Sequence, residues 1–196
     1  MIETKRMTIA EFDAWVETAD ENFTYELHDG VAYGFSTGTA THGRLCNRIG
    51  IWLNKQVEPP PCEVFLGSLS VRRHPDRASS VIPDALVTCE EPPSGQIYVT
   101  SPKLVVEVIS PTSVVNDLLR KPRVYNAVPS IEEYLVVESR SAWARVFRRD
   151  DESELSAAGE GVTAPDSVLD LQTVGLSFTL ADLYRGILCI ASCRAR

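Results

Sequence analysis

Two carboxylates of this chain stand where a carboxylate is expensive. Glu107 interrupts the apolar run Leu104-Val105-Val106-Glu107-Val108-Ile109, and Asp84 interrupts Val81-Ile82-Pro83-Asp84-Ala85-Leu86-Val87. A buried, unpaired charge is strongly unfavourable, so each acid calls for a counter-charge, a metal ion or an exit to solvent at the strand end. Either acid alone reads equally well as a solvated or Arg-paired strand-end residue. Two of them in core-like runs point to a shared site. Glu26 is a further candidate, although a solvated place on a hairpin explains it as well. Asp117, Lys121 and Tyr125 follow at spacings of four and would share one helical face. Asp and Lys at that spacing are also the ordinary surface ion pair, worth only a few tenths of a kcal/mol.

Acids on neighbouring strands with a lysine nearby suit phosphodiester hydrolysis. Oxygen ligands select Mg²⁺ or Mn²⁺, which polarise a phosphoryl oxygen and acidify a water. A lysine beside that water can orient it or stabilise charge on the phosphate.

The elements that must position these residues are readable from periodicity. Thr8-Ile9-Ala10-Glu11 fits a capping box, and Phe12, Trp15 and Val16 then share a face, so a helix is expected over about 9–18. Tyr25 to Tyr33 alternates around Asp29-Gly30, a strong hairpin signal. Leu45, Ile49, Trp52 and Leu53 recur at helical spacing ahead of Pro59-Pro60-Pro61, placing a second helix over about 41–57. Apolar runs Val64–Leu69, Val81–Val87, Leu104–Ile109 and Tyr134–Val137 read as strands, the second and third as central ones covered on both faces. Ser113 can cap a helix through Leu119, and Trp143 to Phe147 alternates as in a hairpin near a sheet edge. A Gly-rich loop, a short strand or two and a helix from about Leu180 complete the chain. The order predicts an α/β fold, a mixed β-sheet with flanking helices, in a single domain over 1–196.

Composition narrows the function classes. The 196 residues are 44% hydrophobic, which supports a folded globule, and the net charge of −8 excludes a uniformly basic nucleic-acid coat. The charge is unevenly placed: residues 1–30 carry −6, residues 31–150 carry +2 and residues 151–196 carry −4. No apolar run approaches the roughly 18 residues of a membrane helix, and the start lacks the apolar stretch of a signal peptide, so a cytoplasmic protein without membrane contact is expected. Five cysteines, an odd number without a CxxC pair, make zinc and disulfide frameworks unexpected. Cys189 and Cys193 would share a helix face and read as small apolar residues.

An ordered set of motifs carries a resemblance. Tyr25-Glu26-Leu27-x-Asp29-Gly30, Pro83-Asp84-Ala85-Leu86, Pro102 to Ser113 around Glu107, Asp117-x-x-x-Lys121-x-x-x-Tyr125, and Pro129-Ser130-Ile131-Glu132-Glu133-Tyr134 together resemble the Uma-type putative restriction endonucleases of the PD-(D/E)xK nuclease superfamily. The resemblance spans about residues 7–184. It implies a restriction-endonuclease-like core in which Glu26, Asp84 and Glu107 bind Mg²⁺ or Mn²⁺, with the Val108 carbonyl as a further ligand. The usual ExK lysine position holds Ile109, so the lysine would come from the following helix as Lys121. His42 falls where the family often has a histidine before its second helix, a position that equally suits capping or packing. Pro122 directly follows the lysine, lacks an N–H and disfavours helical geometry at Lys121. A kink or restart is therefore expected there.

The leading expectation is a divalent-metal-dependent endonuclease on DNA, with Asp84, Glu107 and Lys121 catalytic, working as a homodimer. The alternative is a catalytically inactive module of the same fold acting in nucleic-acid binding or assembly. A hydrolase of smaller phosphate esters carries little weight without a P-loop. Basic residues available to phosphates are Arg44, Arg48, Lys55, Arg72, Arg73, Arg120 and Arg123, with Arg44 and Arg48 the best-placed pair. An interface is conceivable at Trp143–Phe147, where core packing is the default.

Overall fold

A computed structural model describes residues 6–36, 38–73, 78–109, 120–150, 154–157 and 161–188. Helix α1 (Ile9–Val16) starts on the capping box of Thr8 and Glu11 and buries Phe12. The strands β1 (Thr24–His28) and β2 (Val31–Phe35) form the expected hairpin. Its turn has Asp29 at φ 48° and Gly30 at φ 83°, the pair of positive values that a tight hairpin turn demands and that Asp-Gly tolerates. Helix α2 (Ala40–Gln56) is N-capped by Thr39 and buries Leu45, Ile49, Gly50 and Leu53 along one face.

The strands that follow are β3 (Glu63–Phe65), β4 (Ser70–Arg73), β5 (Ser79–Val81), β6 (Ala85–Thr88), β7 (Tyr98–Val99) and β8 (Pro102–Ile109). Beyond them lie α3 (Lys121–Asn126), β9 (Glu133–Glu138), β10 (Ala144–Arg149), β11 (Leu155–Ala157), β12 (Val168–Leu171), β13 (Leu176–Thr179) and α4 (Leu180–Tyr184). The α/β architecture is therefore as expected, but its strands divide among three sheets, ordered β2-β1-β5-β4-β7, β11-β10-β9-β8-β6-β3 and β12-β13. Pairing is mixed: β8 with β9 and β4 with β7 are parallel, the other pairs antiparallel.

Strand β8 is the axis of the larger sheet. Leu104, Val106 and Val108 pack with Leu45, Ile49 and Leu53 of α2, while Val105 and Ile109 pack with Val124 and Tyr125 of α3. Alternation along β8 therefore turns Glu107 to the α3 side.

Three expectations change. The run Val81–Val87 is not one strand: β5 ends at Val81 in one sheet and β6 begins at Ala85 in another. Pro83, with no N–H for a ladder, lies in the crossing between them. Asp84 consequently stands at a strand entry between two sheets rather than inside a core strand. The structure also joins Cys62 to Cys89 in a disulfide, against the reading from cysteine count. The pairing of Glu63 with Thr88 sets the two cysteines opposite each other, a cross-strand register that their separation of 27 residues does not reveal. Finally β11 pairs outside β10, so Trp143–Phe147 is one strand inside the edge, and Trp143 and Phe147 pack against the buried cluster around Tyr134. The expected helix from Ser113, with Asp117, and the pair Cys189 and Cys193 lie outside the described residues.

The short helix α3 is held from β10. The Arg149 guanidinium donates to the carbonyls of Ile131 at 2.7 Å, Val128 at 2.9 Å, Asn126 at 3.2 Å and Tyr125 at 3.3 Å. It closes the carbonyls at and beyond the helix end, where no intrahelical donors remain. Arg149→Ala should lower unfolding stability by about 2–3 kcal/mol, since hydrogen bonds from a charged group carry about 1.5–3 kcal/mol. A urea midpoint unchanged in this variant would show that α3 is held by other means.

Candidate active site

Three of the residues singled out by sequence, Lys121, Glu107 and Glu26, meet at one ammonium. Lys121 is buried, and its Nζ lies 2.9 Å from Glu107 Oε1 and 3.0 Å from Glu26 Oε1, and donates to the Ile82 carbonyl at 3.1 Å. Glu107 is 2% exposed and Glu26 3%. One comes from β8 and the other from β1, strands of different sheets, so the lysine ties the two sheets together. Helix α3 begins at Lys121 itself, with Pro122 in its first turn, where a missing N–H costs nothing. Lys121 is thereby delivered to the two acids.

Each acid has a second partner that fixes it. Tyr125, one turn beyond Lys121, donates its hydroxyl to Glu107 Oε1 at 2.5 Å. Burial, and after it the Glu107 charge, hold that phenol well above its usual range, so it stays a donor. Glu26 Oε1 accepts the Ile82 N–H at 2.9 Å, and Glu26 Oε2 lies 2.9 Å from His28 Nε2. Burial alone would raise the Glu26 carboxyl, but Lys121, His28 and the Ile82 N–H outweigh it and leave it below the usual 4.5.

Asp84 joins from the crossing. It precedes Ala85, which pairs with Val106, and its Oδ2 accepts the Val108 N–H at 2.7 Å. Its side chain is 23% exposed, and Oδ1 lies 3.2 Å from His42 Nε2. Val108 thus reaches the cluster through its N–H, whereas the resemblance names its carbonyl. His42 belongs to the site by this contact, and its backbone N–H also takes the Thr39 cap.

Sequence reading missed Cys46, Ile82 and His28. Cys46 Sγ sits 3.5 Å from His42 Nδ1, and burial, then the charges of Asp84 and Glu107, push its thiol far up. The spacing of four between His42 and Cys46 on an expected helix was the available signal. For His28 it was the two-residue step from Glu26, which puts both on one face of β1.

Glu26, Asp84 and Glu107 offer hard oxygens, the chemistry of Mg²⁺ or Mn²⁺, but their ligand atoms do not all lie within 4.8 Å of one another, and the Lys121 ammonium lies between Glu26 and Glu107. His42, Cys46 and Asp84 bring one ligand atom each to within 4.8 Å of one another, a softer set closer to zinc chemistry.

Among the expected phosphate contacts, Arg48 is engaged elsewhere. It donates to the carbonyls of Asp182 and Leu183 at 3.2 and 2.8 Å and so pins α4 to α2. Arg72 pairs with Asp13 at 2.6 Å.

Mixed sheets flanked by helices, with acids gathered where two sheets meet, define the restriction-endonuclease-like α/β fold class. A solved structure described as a putative nuclease belonging to DUF820, from Anabaena variabilis, shares this fold with a TM-score of 0.71, at 17% identity over 93% of this chain and 99% of that one. The chain belongs to the Uma2 family, whose model, described as "Putative restriction endonuclease", matches residues 9–181. Two uncharacterised Synechocystis proteins are also similar. The protein slr1290 is 28% identical over 93% of each chain, and sll1609 is 28% identical over 69% of this chain and 76% of its own length. Among the described residues no helix is long and apolar enough to cross a membrane.

The lowered Glu26 carboxyl makes stability depend on acid. A carboxyl depressed on folding contributes stability above its unfolded pKa and loses it as pH falls through the folded value. Urea unfolding should therefore show wild-type stability falling as pH drops below about 4.5, with a shallower fall in Glu26→Gln. Identical acid limbs in the two proteins would contradict the environment assigned to Glu26.

Proposed function

We propose that the protein is a divalent-metal-dependent nuclease that hydrolyses phosphodiester bonds of DNA. The observation that carries this reading is the single Lys121 ammonium lying within 3.0 Å of two buried carboxylates from different sheets, with Asp84 hydrogen-bonded to the neighbouring Val108. A structural ion pair needs one acid, and a third, half-exposed acid at the same place gives the cluster a face to solvent. Membership of a family described as putative restriction endonucleases points the same way.

In this reading Glu26, Asp84 and Glu107 hold Mg²⁺ or Mn²⁺, with the Val108 carbonyl as a further oxygen. When bound there, such an ion supplies charge stabilisation to the phosphoryl group. Lys121, by exchanging its bond to the Ile82 carbonyl for one to the attacking water, orients that water and brings positive charge to the developing phosphoryl charge. The water oxygen bonds to phosphorus, the bond to the leaving nucleotide oxygen breaks, and protons exchange with solvent at the open Asp84 side. Tyr125, His28 and His42 are positioning residues, each holding one carboxylate oxygen. Cutting both strands of a duplex takes two such sites, which a closed two-fold dimer supplies most simply.

Cleavage of supercoiled plasmid should require Mg²⁺ or Mn²⁺ and stop with a chelator. Glu107→Gln and Lys121→Met should each slow it by about 10²-fold or more, the scale for losing one preorganised electrostatic group. Asp84→Ala should abolish it. Cleavage unaltered in all three variants would overturn the assignment, and nucleic-acid binding without any cleavage would support the inactive module instead.

A further inference from the structure

Beside the β1–β2 hairpin, with His28 in its lining, lies a cavity of ≈ 220 Å³. Four arginines line it, Arg6, Arg73, Arg120 and Arg123, together with His28 and Tyr33. One carboxylate, Asp29, lies among them, so the lining is strongly cationic. The volume falls below the roughly 300 Å³ at which sites for drug-sized ligands begin, and suits a small anionic group rather than a whole nucleotide.

The cationic lining is built rather than incidental. Arg6 is packed against the hairpin turn: a Cβ on Gly30 would meet Arg6 Cβ at 2.9 Å, the Met7 N–H donates to the Gly30 carbonyl at 2.7 Å, and Arg6 Nη1 donates to the Asp29 carbonyl at 3.3 Å. Arg120 lies over the Tyr33 ring at 4.3 Å from its centroid, a cation–π contact that fixes the guanidinium. Arg73 and Arg123 carry no ion pair or side-chain hydrogen bond among the described residues. Arginine beside arginine is repulsive, and guanidinium groups gathered around a single acid among the described lining residues are what phosphate recognition uses.

An independent mark is His28. It is 6% exposed, its Nε2 is taken by Glu26, and its Nδ1 is buried with no hydrogen-bond partner among the described residues. Buried polar atoms are almost always satisfied, so this orphan nitrogen, on a residue that lines the cavity, sets His28 apart. His28 also connects the two places, since it lines the cavity and its Nε2 lies 2.9 Å from Glu26, and Arg120 directly precedes Lys121.

We infer that this cavity is a phosphate subsite, taking a phosphate of the nucleic-acid strand adjacent to the one at the acid cluster. That the phosphate belongs to the strand being cut rests on the nuclease reading, whereas the anion site stands on the cavity's own residues. The test uses the full chain with a chelator present, so that binding is measured without cleavage. A fluorescent single-stranded DNA oligonucleotide, with and without a terminal 5′-phosphate, is titrated by anisotropy, and inorganic phosphate is followed by phosphorus NMR line broadening. Arg73→Ser and Arg123→Ser should each weaken oligonucleotide binding by roughly tenfold and reduce its salt dependence by about one unit of slope. Both should remove the phosphate broadening, while Arg140→Ser, which deletes an exposed positive charge between β9 and β10, leaves it in place. Preference for the 5′-phosphorylated strand identifies a terminal phosphate, and equal binding identifies an internal one; both uphold the subsite. Phosphate broadening that depends on Arg73, without any oligonucleotide binding, keeps the anion site and defeats the nuclease reading. Wild-type affinity in both Arg73→Ser and Arg123→Ser, or equal loss in Arg140→Ser, overturns the subsite.

Discussion

The structure depends on one buried ammonium shared by two buried carboxylates. Lys121 cannot be taken out of water for less than several kcal/mol unless acids accompany it, and neither Glu26 nor Glu107 can be buried without a cation. Because the acids come from β1 and β8, the requirement is also architectural: the smaller sheet, the larger sheet and α3 must converge on a point. Two carboxyl groups and one ammonium leave room for further positive charge, and His28 and His42 stand at the outer oxygens of Glu26 and Asp84.

Much of the surrounding packing serves that convergence. Leu104, Val106 and Val108 seat β8 on α2, and the alternate residues seat it under α3, so the strand cannot slip by one residue without turning Glu107 into the wrong layer. Helix α3 has only six residues, too few to stand by its own hydrogen bonds. Its C-terminal carbonyls are held by Arg149, and its inner face by Tyr125, whose hydroxyl meets Glu107 and whose ring lies edge-on to Tyr134 at 5.2 Å. A helix so short is an economical way to point Lys121 and Tyr125, one turn apart, at the same carboxylate.

What could be read from the sequence follows from which signals are local. The capping box of α1, the Asp29-Gly30 turn and the apolar face of α2 are encoded within a few residues, and the structure has all three. Asp84, Glu107, Glu26 and Lys121 were recognisable as a set through the family resemblance, and their convergence in space follows it. Features that rest on non-local register were not readable. The break at Pro83 looked like a continuous apolar strand, because hydrophobicity does not report which sheet a residue joins. The pairing of Cys62 with Cys89 depends on β3 meeting β6, and the engagement of Arg48 with α4 depends on a helix more than a hundred residues away. Pro122 illustrates a rule applied in the wrong frame. Proline breaks a helix that is already running, but it opens one readily, and only the position of the start decides between them.

The account stands or falls on whether Lys121, Glu26 and Glu107 act as one unit, and a double-mutant cycle on unfolding free energy measures this directly. Lys121→Met and Glu26→Gln, alone and together, should show a coupling of about 1–3 kcal/mol, the range for residues in one buried network. Additivity within about 0.5 kcal/mol would mean that the ammonium and the carboxylate do not depend on each other, and would contradict the site described.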